Sequence, residues 1–334
     1  MTRMMRAAFY ERCGPATEVL KIGELPRPKP GPGQVLVRVH VSGVNPHDVK
    51  KRAGWLSREL PATRVIPHSD GAGVVTGVGP GVPEARISQR VWFFHAGEGG
   101  PGAGAAADYV VVHQDHAPPL PESVGFDVGA CLGVPFMTAH DAVLRDGPVT
   151  GQTLLMQGGA GAVAAYAIQL AVWNGARVIA TVSSPEKAEQ ARKLGAAKTI
   201  DYRREDVAGR VMDLTAGRGV DRIVEVDFGA NIAIDHAVIR SWGVIASYSS
   251  SRAREPILPY YAFAMKGVTL HFVQGMLLTH DRAKSGIRDA AALLERGILV
   301  HPIAAVFPLA DIAAAHELME SGAAIGKILV ENGP

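Results

Sequence analysis

The sequence predicts an α/β protein in which a doubly wound parallel sheet is inserted into a β-rich domain. The first third of the chain holds close-set strand-like runs with no long helix between them. Strands and helices then alternate from about Thr153, and a mixed pattern returns near the C-terminus. The 334 residues are enough for two cores. We therefore expect residues 1–126 and 271–334 to form the β-rich domain and residues 127–270 the inserted one.

Runs rich in β-branched and aromatic residues, separated by Pro and Gly, predict the strands of the β-rich domain. They are Ala7–Tyr10, Val35–Val41, Gly73–Val78, Arg90–Phe94 and Tyr109–Val112. Strands set this closely are typical of a small barrel. The glycine-rich segment 97–107 predicts a flexible loop. It could border a ligand cleft, but the tip of a surface hairpin is the simpler explanation.

The inserted domain opens on a strand, a glycine turn and a helix. Thr153–Met156 is a short apolar run, two glycines follow it, and Ala162–Trp173 is apolar on nearly all sides. Such a helix belongs between a sheet and another layer. With the next strand, Arg177–Val182, these segments form a βαβ unit.

The turn between the first strand and its helix has the sequence Gly159-Ala160-Gly161-Ala162-Val163-Ala164. This spacing fits the dinucleotide-binding fingerprint with alanine at its last position. The missing side chains let backbone N–H groups approach a pyrophosphate, and the N-terminus of the helix favours the anion. We therefore predict a dinucleotide cofactor, bound by Gly159, Ala160, Gly161, Ala162 and Val163.

The end of the second strand indicates which dinucleotide binds. An NAD site usually has an acid there, about 20 residues past the first glycine, but residues 181–184 contain no carboxylate. A ribose 2′-phosphate needs hydrogen-bond donors and positive charge, which Ser183, Lys187 and Tyr202 could supply. These residues predict NADPH. The alternative is that Ser183 or Ser184 only caps the next helix, with Lys187 in solvent.

The alternation continues along the rest of the inserted domain. A helical stretch at 127–144 precedes the sheet, further helices are predicted at 185–194 and 206–215, and further strands at 198–201, 221–226, 243–248 and 268–273. Six strands alternating with helices predict a doubly wound sheet. A helix at 282–296, a strand at 304–308, a helix at 311–319 and a strand at 327–330 end the chain.

Charge and composition exclude several classes of protein. The net charge is only +2 and no basic, aromatic-rich stripe occurs, so we expect no nucleic-acid partner. No apolar run is long enough to span a bilayer, and the N-terminal residues lack the apolar core of a secretion signal. We therefore expect a soluble, cytoplasmic protein. Cys13 and Cys131 lie far apart without CxxC spacing, which predicts free thiols.

Five motifs spread over nearly the whole chain carry a family resemblance. They are Ser42-Gly43-Val44-Asn45-Pro46-His47-Asp48, Asp70-Gly71-Ala72-Gly73-Val74-Val75, Gly133-Val134-Pro135-Phe136-Met137-Thr138-Ala139, the glycine turn and Gly326-Lys327-Ile328-Leu329-Val330. With them the chain resembles the zinc-independent quinone oxidoreductases, the zeta-crystallin-like branch of the medium-chain dehydrogenase/reductase superfamily. The resemblance implies a GroES-like β-rich barrel domain plus an inserted Rossmann domain, and NADPH as cofactor. It also implies a homodimer joined through the last strand of the Rossmann sheet.

The resemblance also bears on metal binding. Zinc-dependent members of the superfamily hold a catalytic zinc with a Cys, a His followed by an acid, and a further Cys or acid. The matching places in this chain are Asn45, Ser69 and Val134, none of which offers a thiolate or an imidazole. The four-cysteine loop of the structural zinc is missing too. We predict no zinc, although His68 stands one residue from an expected ligand position.

In the resembling family, Asn45 and Asp48 match positions at the mouth of the substrate slot. We expect them to contact the substrate together with Lys50. Asn45 would donate a hydrogen bond to an acceptor oxygen, unless its Asn-Pro dipeptide only starts a turn. Relatives often have Tyr where this chain has Lys50. A cation there could contact phosphate or an acidic substrate, or lie in solvent.

Four further residues match positions that line the nicotinamide end of the cofactor in the family. They are Thr138, Ser247, Phe272 and Val273. The hydroxyl of Thr138 could instead bond back to its own helix. Lys327 matches a common family lysine near the cofactor, and a solvated lysine is the alternative.

Without zinc, the resemblance implies hydride transfer from NADPH to a quinone-like acceptor. Alcohol oxidation needs a Lewis acid or a proton shuttle, whereas a quinone accepts hydride readily and its oxyanion needs only hydrogen bonds or water. No catalytic side chain is assigned. Reduction of activated alkenes such as enals, enones or enoyl thioesters is an alternative with the same geometry. An alternative of another class is a non-catalytic NADPH-binding protein, crystallin-like or regulatory.

Overall fold

The structure is a computed structural model that describes residues 3–55 and 57–333. Two compact units are present. The first runs to Val134 and resumes at Ile287, and the second is Pro135–Gly286. One unit is therefore an insertion in the chain of the other, as the sequence pattern predicts. The functional domain borders after residues 126 and 270 stay a prediction, because a compact unit and a functional domain need not share their borders.

Up to Val134 the chain forms mostly strands. In chain order the elements are β1 (Met4–Phe9), α1 (Ala16–Val19), β2 (Lys21–Pro26), β3 (Gln34–Val44), α2 (Pro46–Arg52), β4 (Asp70–Val78), β5 (Arg90–Phe93), β6 (Tyr109–His113) and α3 (Phe126–Cys131). The predicted strands are confirmed. The sequence does not predict α2, because this short helix contains a single large apolar residue, Val49.

The second unit alternates strands and helices. The elements are α4 (Met137–Leu144), β7 (Thr153–Met156), α5 (Ala162–Trp173), β8 (Arg177–Val182), α6 (Pro185–Lys193), β9 (Lys198–Asp201), α7 (Val207–Leu214), β10 (Val220–Glu225), α8 (Phe228–Val238), β11 (Ile239–Ser247), α9 (Tyr260–Ala264) and β12 (Thr269–Phe272). Helices α8 and α9 are not predicted from the sequence. In α8 the apolar pattern is broken because one of its buried positions is an acid, Asp235.

The chain ends with α10 (His280–Glu295), β13 (Ile303–Pro308), α11 (Ile312–Ser321) and β14 (Lys327–Glu331). These four elements lie within about two residues of their predicted bounds, since each has clear apolar periodicity. Within residues 3–55 and 57–333, no helix combines the length and the apolar character that crossing a membrane requires.

The main sheet of the first unit has the strand order β13-β14-β3-β4-β5, with β6 also paired to β3. Strand β3 is therefore its centre, and it runs antiparallel to β4, β6 and β14. Val35, Val37 and Val39 alternate along β3 and are buried in one apolar core. This is the alternation that predicts a half-buried strand.

The sheet of the second unit has the order β12-β11-β10-β7-β8-β9, and all its pairs are parallel. This is the predicted doubly wound order. Leu155, Ile179, Ile223 and Ile245 form a buried row across its centre. Because the strands are parallel, their carboxyl ends share one edge. The order reverses between β7 and β10, which is where ligands bind in such sheets.

The glycine-rich segment is only partly a surface loop. Ala105, Ala106 and Ala107 are completely buried, so the prediction of a surface hairpin tip is wrong for this half of the segment. The N–H of Ala105 donates to His68 O at 2.8 Å. A Cβ on Gly104 would lie 2.0 Å from Ile66 O. Small residues occur here because the backbone packs directly against residues 66–68.

We expect Gly104→Ala to lower the free energy of unfolding by about 2–4 kcal/mol, since the new methyl group would overlap a backbone carbonyl. Gly97→Ala is the matched control, because no heavy atom lies within 4 Å of a Cβ there. It should change stability by less than about 0.5 kcal/mol. Urea unfolding of both variants measures the difference, and equal stability would contradict the assigned packing.

Candidate active site

Three buried polar side chains meet where β3 ends and where β4 and β14 begin. Lys327 Nζ lies 2.6 Å from Asn45 Oδ1 and 3.2 Å from Asp70 Oδ2. The amide nitrogen of Asn45 donates to Asp70 Oδ1 at 2.8 Å and to Gly43 O at 3.2 Å. Lys327 is only 2% exposed, so the alternative of a solvated lysine is wrong. Burial of this ion pair is tolerable because both charges also have hydrogen-bond partners.

Two glycines of the family motifs leave room for this cluster. A Cβ on Gly43 would lie 2.4 Å from Lys327 Cε, and one on Gly133 would lie 2.2 Å from Asp70 Cβ. The backbone N–H of Val134 then donates to Asp70 Oδ2 at 2.7 Å. The glycines are therefore required by the close approach of the ion pair to the backbone.

Asp48 and Lys50 lie on α2, which Asn45 precedes as its N-terminal cap residue. Asp48 accepts hydrogen bonds from Asn45 N at 2.9 Å and from Ser69 Oγ at 3.3 Å. Burial raises the pKa of its carboxyl group. The ammonium of Lys50 lies 4.9 Å from the ring centroid of Trp55, in a cation–π contact. Asn45 therefore does start a helical turn. That Asn45, Asp48 and Lys50 contact the substrate stays a prediction.

The residues at the three zinc-ligand positions do not fit a zinc ion. Asn45 and Ser69 bind protein partners, and Val134 has no ligating side chain. The ammonium of Lys327 is a fixed cation in contact with Asn45 and Asp70, and it would repel a divalent ion. Over the part of the chain that the structure describes, no group of His, Cys, Asp and Glu could hold a metal.

His68 belongs to a buried relay of hydrogen bonds instead. Arg52 Nε donates to His316 Nδ1 at 3.4 Å, so His316 must carry its proton on Nε2. His316 Nε2 lies 3.1 Å from His68 Nε2, and His68 Nδ1 lies 2.9 Å from Ser42 Oγ. Each imidazole then donates once and accepts once, which requires both to be neutral. The backbone of His68 is in the left-handed conformation, with φ +73°, directly before Ser69 and Asp70.

Both relay histidines resist protonation. Burial, and then the neighbouring His316 and Lys327, depress the pKa of His68 well below its usual value. Burial and the Arg52 guanidinium depress the pKa of His316 to about 3. The relay is therefore intact at neutral pH.

In the second unit, each glycine of the turn after β7 has a different reason to be glycine. Gly158 has φ +68°, which favours glycine. A Cβ on Gly159 would lie 2.7 Å from Ala180 Cβ, so packing against β8 requires its absence. At Gly161 a Cβ would meet only Gly158 O, at 3.5 Å. The protein itself therefore has room for a side chain at Gly161, and the open space leaves the backbone accessible to a ligand.

Gly161 is also the N-cap of α5, and no side chain caps this helix. The first N–H groups of a helix lack partners inside it, and they attract anions. Ala162 and Val163 supply these groups and are partly accessible, whereas Ala160 is buried. The predicted fingerprint residues are thus in place at the carboxyl end of β7.

The predicted 2′-phosphate residues follow the ends of the next two strands. Ser183 and Lys187 are half-buried after β8, and Tyr202 is 43% exposed directly after β9. Ser184 Oγ accepts the N–H of Lys187 at 3.3 Å and caps α6. The capping alternative is therefore true for Ser184. It does not compete with the phosphate prediction, because a capped helix N-terminus still attracts anions.

The predicted nicotinamide-end residues are spread over three elements. Ser247 ends β11, and its carbonyl accepts the N–H of Val273 at 2.7 Å. Val273 is buried, whereas Phe272 before it is 72% exposed. Thr138 lies on α4 and is 4% exposed. Ser247, Phe272 and Val273 thus share the sheet edge with the glycine turn, and their cofactor contacts stay a prediction.

Sequence reasoning missed several polar residues beside these sites. It gave no role to Asp70, and it missed Gln157, Glu225 and Asp235, which are buried at the same edge of the second sheet. The available signal was a polar side chain at the carboxyl end of a buried parallel strand. Gln157 and Glu225 both have this position, after β7 and at the end of β10.

Comparison with known proteins identifies the class. One family model, "Alcohol dehydrogenase GroES-like domain", matches residues 31–122, and another, "Zinc-binding dehydrogenase", matches residues 162–295. Quinone oxidoreductase of Mus musculus is 30% identical over 339 residues and 98% of each chain. The 2-haloacrylate reductase of a Burkholderia species is 30% identical over 342 residues and 98% of each chain. A mycobacterial protein solved as a complex with NADPH superposes with a TM-score of 0.87 at 28% identity, over 98% of this chain and 99% of that one.

A GroES-like domain that carries an inserted Rossmann domain defines a medium-chain dehydrogenase/reductase. The predicted fold is thus confirmed. Within that superfamily, the chain belongs to the zinc-independent quinone oxidoreductase branch.

The neutral relay predicts a loss of stability in acid. Histidines of the unfolded chain titrate near pH 6.5, whereas His316 titrates at about 3 in the folded protein. Between these values a relay histidine binds its proton in the unfolded state only, so the relay's contribution to the free energy of unfolding falls as the pH falls. The slope should reach about 1.4 kcal/mol per pH unit for each relay histidine.

Urea unfolding as a function of pH measures this slope. His316→Gln should flatten it, because Gln offers the same acceptor and donor without a titrating ring. The control is His280→Gln, at an exposed position, which should behave as the wild type. An unchanged slope in His316→Gln would mean that the relay is not the acid-sensitive element.

Proposed function

We propose that this protein is an NADPH-dependent quinone oxidoreductase that transfers hydride to a quinone-like acceptor without a metal. The observation that carries the proposal is the open Cβ position of Gly161 at the uncapped start of α5. A glycine that the protein's own packing does not need indicates close approach of a ligand to the backbone. The quinone oxidoreductase relatives and the NADPH-bound structural neighbour support the same activity.

The cofactor would lie along the carboxyl edge of the second sheet. Gly159, Ala160, Gly161, Ala162 and Val163 would hold the pyrophosphate through backbone N–H groups. The hydroxyl of Ser183, the ammonium of Lys187 and the phenol of Tyr202 would hold the 2′-phosphate. Thr138, Ser247, Phe272 and Val273 would border the nicotinamide. NADPH supplies the hydride, and the protein supplies orientation and exclusion of water.

In the first unit, side chains of the protein would take over the role that a metal ion has in zinc-dependent members of the superfamily. Lys327 provides a buried positive charge, which Asp70 balances and Asn45 shares. The side-chain amide of Asn45 makes two hydrogen bonds, and the one to Gly43 O is the longer, at 3.2 Å. The N–H of this longer bond would donate to the oxygen of the acceptor instead. Hydrogen bonding is sufficient for a quinone, because its electron-poor ring accepts hydride readily and the resulting phenolate-type oxyanion is stabilised by delocalisation into the ring.

A second candidate activity is reduction of an activated alkene that carries a carboxylate. The Lys50 ammonium, held 4.9 Å from the Trp55 ring centroid, favours it because a cation there suits an acidic substrate. The Burkholderia relative, a 2-haloacrylate reductase, supports the same substrate class.

NADPH oxidation with separate panels of quinones, enones and short unsaturated carboxylates tests these activities. Turnover of quinones is the expected result. Turnover confined to the unsaturated carboxylates, and lost in Lys50→Tyr, would establish the second candidate instead. Tight NADPH binding with no turnover on any panel would establish a non-catalytic NADPH-binding protein and refute both.

We expect Lys187→Ala to raise the KM for NADPH by about tenfold or more, since it removes a charge-assisted contact with the 2′-phosphate. The KM for NADH, which lacks this phosphate, should change much less. Steady-state kinetics with both cofactors measures the ratio. An equal effect on the two cofactors would contradict the assigned phosphate site.

Gly161→Val should abolish cofactor binding while leaving the fold intact, because its Cβ position is open in the protein but lies on the path of the pyrophosphate. Gly159→Ala is the comparison: its Cβ would overlap Ala180, so it should lose stability as well. Fluorescence titration with NADPH and thermal unfolding separate the two effects. Full NADPH affinity in Gly161→Val would refute the assigned turn.

We further propose a cytoplasmic homodimer joined through β12. This strand is an edge of its sheet, and edges with exposed apolar side chains attract a partner strand. Large apolar side chains are also exposed on the neighbouring strand β11 and around α9. More than three-quarters of the residue surface is exposed at Trp242, Tyr261 and Met265. Light scattering of the purified protein should give twice the mass of the chain, and a monomer at micromolar concentration would contradict the dimer.

A further inference from the structure

Two carboxylic acids are completely buried beside the glycine turn. Glu225 ends β10, the strand next to β7, and Asp235 lies one helix later on α8. The next residue after Glu225, Val226, packs on the turn itself, since a Cβ on Gly158 would lie 3.1 Å from Val226 Cγ1. Neither acid belongs to the fingerprint or to the predicted cofactor contacts.

A chain of hydrogen bonds joins Asp235 to the turn. Gly158 N donates to Thr181 Oγ1 at 3.0 Å, and Thr181 Oγ1 donates to Gln157 Oε1 at 2.8 Å. The amide nitrogen of Gln157 then donates to Asp235 Oδ1 at 3.3 Å. Each step fixes the direction of the next, so that Asp235 Oδ1 must be an acceptor.

Glu225 is anchored from its other side. Its Oε1 accepts the N–H of Asp227 and the side-chain N–H of Asn231, the latter at 2.9 Å. The two remaining oxygens, Glu225 Oε2 and Asp235 Oδ2, are buried and have no hydrogen-bond donor among the described residues. The two carboxyl groups interact with each other. Two acceptors in contact attract each other only when one proton lies between them.

The surroundings of the pair favour this protonated state. Burial, followed by the charge of Glu225, raises the pKa of Asp235 well above its usual value, and burial raises that of Glu225. The nearby titratable groups are Asp227 and Tyr248. Arg252 pairs with Asp227, 3.4 Å away, and among the described residues no cation forms an ion pair with either buried acid.

We propose that Glu225 and Asp235 are positioning residues that share one proton and, through Gln157 and Thr181, hold the glycine turn ready for the dinucleotide. This inference rests on the proposed function, since it assumes that the turn binds NADPH. The pair acts on the backbone of the turn, and neither acid contacts the cofactor. The shared proton is essential, because without it two buried carboxylates would repel and separate β10 from α8.

Isosteric amides test the proton directly. In Asp235→Asn, the new N–H replaces the shared proton and Oδ1 still accepts from Gln157; in Glu225→Gln, the new N–H points at an ionised Asp235. Each single variant should bind NADPH within about twofold of the wild type. The double variant places two N–H groups against each other. Reversing the amides at 235 and 157 removes that clash but takes the acceptor Gln157 Oε1 away from the buried hydroxyl of Thr181. Either arrangement leaves a buried donor unpaired, so the affinity should fall by about tenfold or more.

Fluorescence titration with NADPH at neutral pH measures these affinities, and circular dichroism controls for folding. Asp235→Ala, which removes both the acceptor and the shared proton, should resemble the double variant. If it does not fold, the comparison of the amide variants still decides, because they keep the size of the side chains. Single and double amide variants with equal affinity would overturn the proposal.

Infrared spectroscopy of the cofactor-free protein separates this proposal from the proposed function. The carbonyl stretch of a protonated carboxylic acid should be present at neutral pH in the wild type and absent in Asp235→Asn and in Glu225→Gln. Absence of this band in a wild type that binds NADPH would refute the shared proton alone. Failure of the wild type to bind NADPH would refute the proposed function, and the positioning role with it.

Discussion

The structure depends on one constraint: a polar or charged side chain that is buried away from water needs hydrogen-bond partners within the protein. Three buried networks meet this constraint in three ways. Lys327 and Asp70 neutralise each other and share Asn45. His68 and His316 stay neutral and pass hydrogen bonds in one direction. Near the glycine turn, Glu225 and Asp235 each keep one buried oxygen without a donor, which the proposed shared proton would satisfy.

The first network explains how a fold related to zinc dehydrogenases can work without the metal. In place of a divalent ion and its thiolates the chain has an ammonium, a carboxylate and an amide, and the charges of the ammonium and the carboxylate cancel. Gly43 and Gly133 belong to the same arrangement, since any side chain on either would collide with it. Such a site offers orientation and hydrogen bonding rather than a Lewis acid, which suits acceptors that take hydride readily.

Much of the fold was predictable because its signals are local. Apolar runs such as Thr153–Met156 and the periodicity of residues 311–319 predict a strand and a helix that the structure has within two residues of these bounds. Helix α8 was missed because a charged residue, Asp235, occupies a buried position, and periodicity alone classifies it as exposed. The prediction of a surface loop at the glycine-rich segment was wrong for residues 105–107, which are buried. Composition shows that the segment has few large side chains, but it does not show whether protein backbone or water surrounds it.

The sequence by itself determined the sheet order, the glycine turn, the absence of an acid at the end of β8 and the absence of zinc ligands at their expected places. The first three follow from the order and spacing of residue types along the chain, and the expected zinc-ligand places follow from the family resemblance. Only the tertiary structure decided that Lys327 is buried against Asp70, that His68 faces His316, and that Glu225 meets Asp235. Each of these partners lies on a different element, and the first two pairs are separated by more than 200 residues. A side chain's charge state depends on such neighbours, which no local pattern specifies.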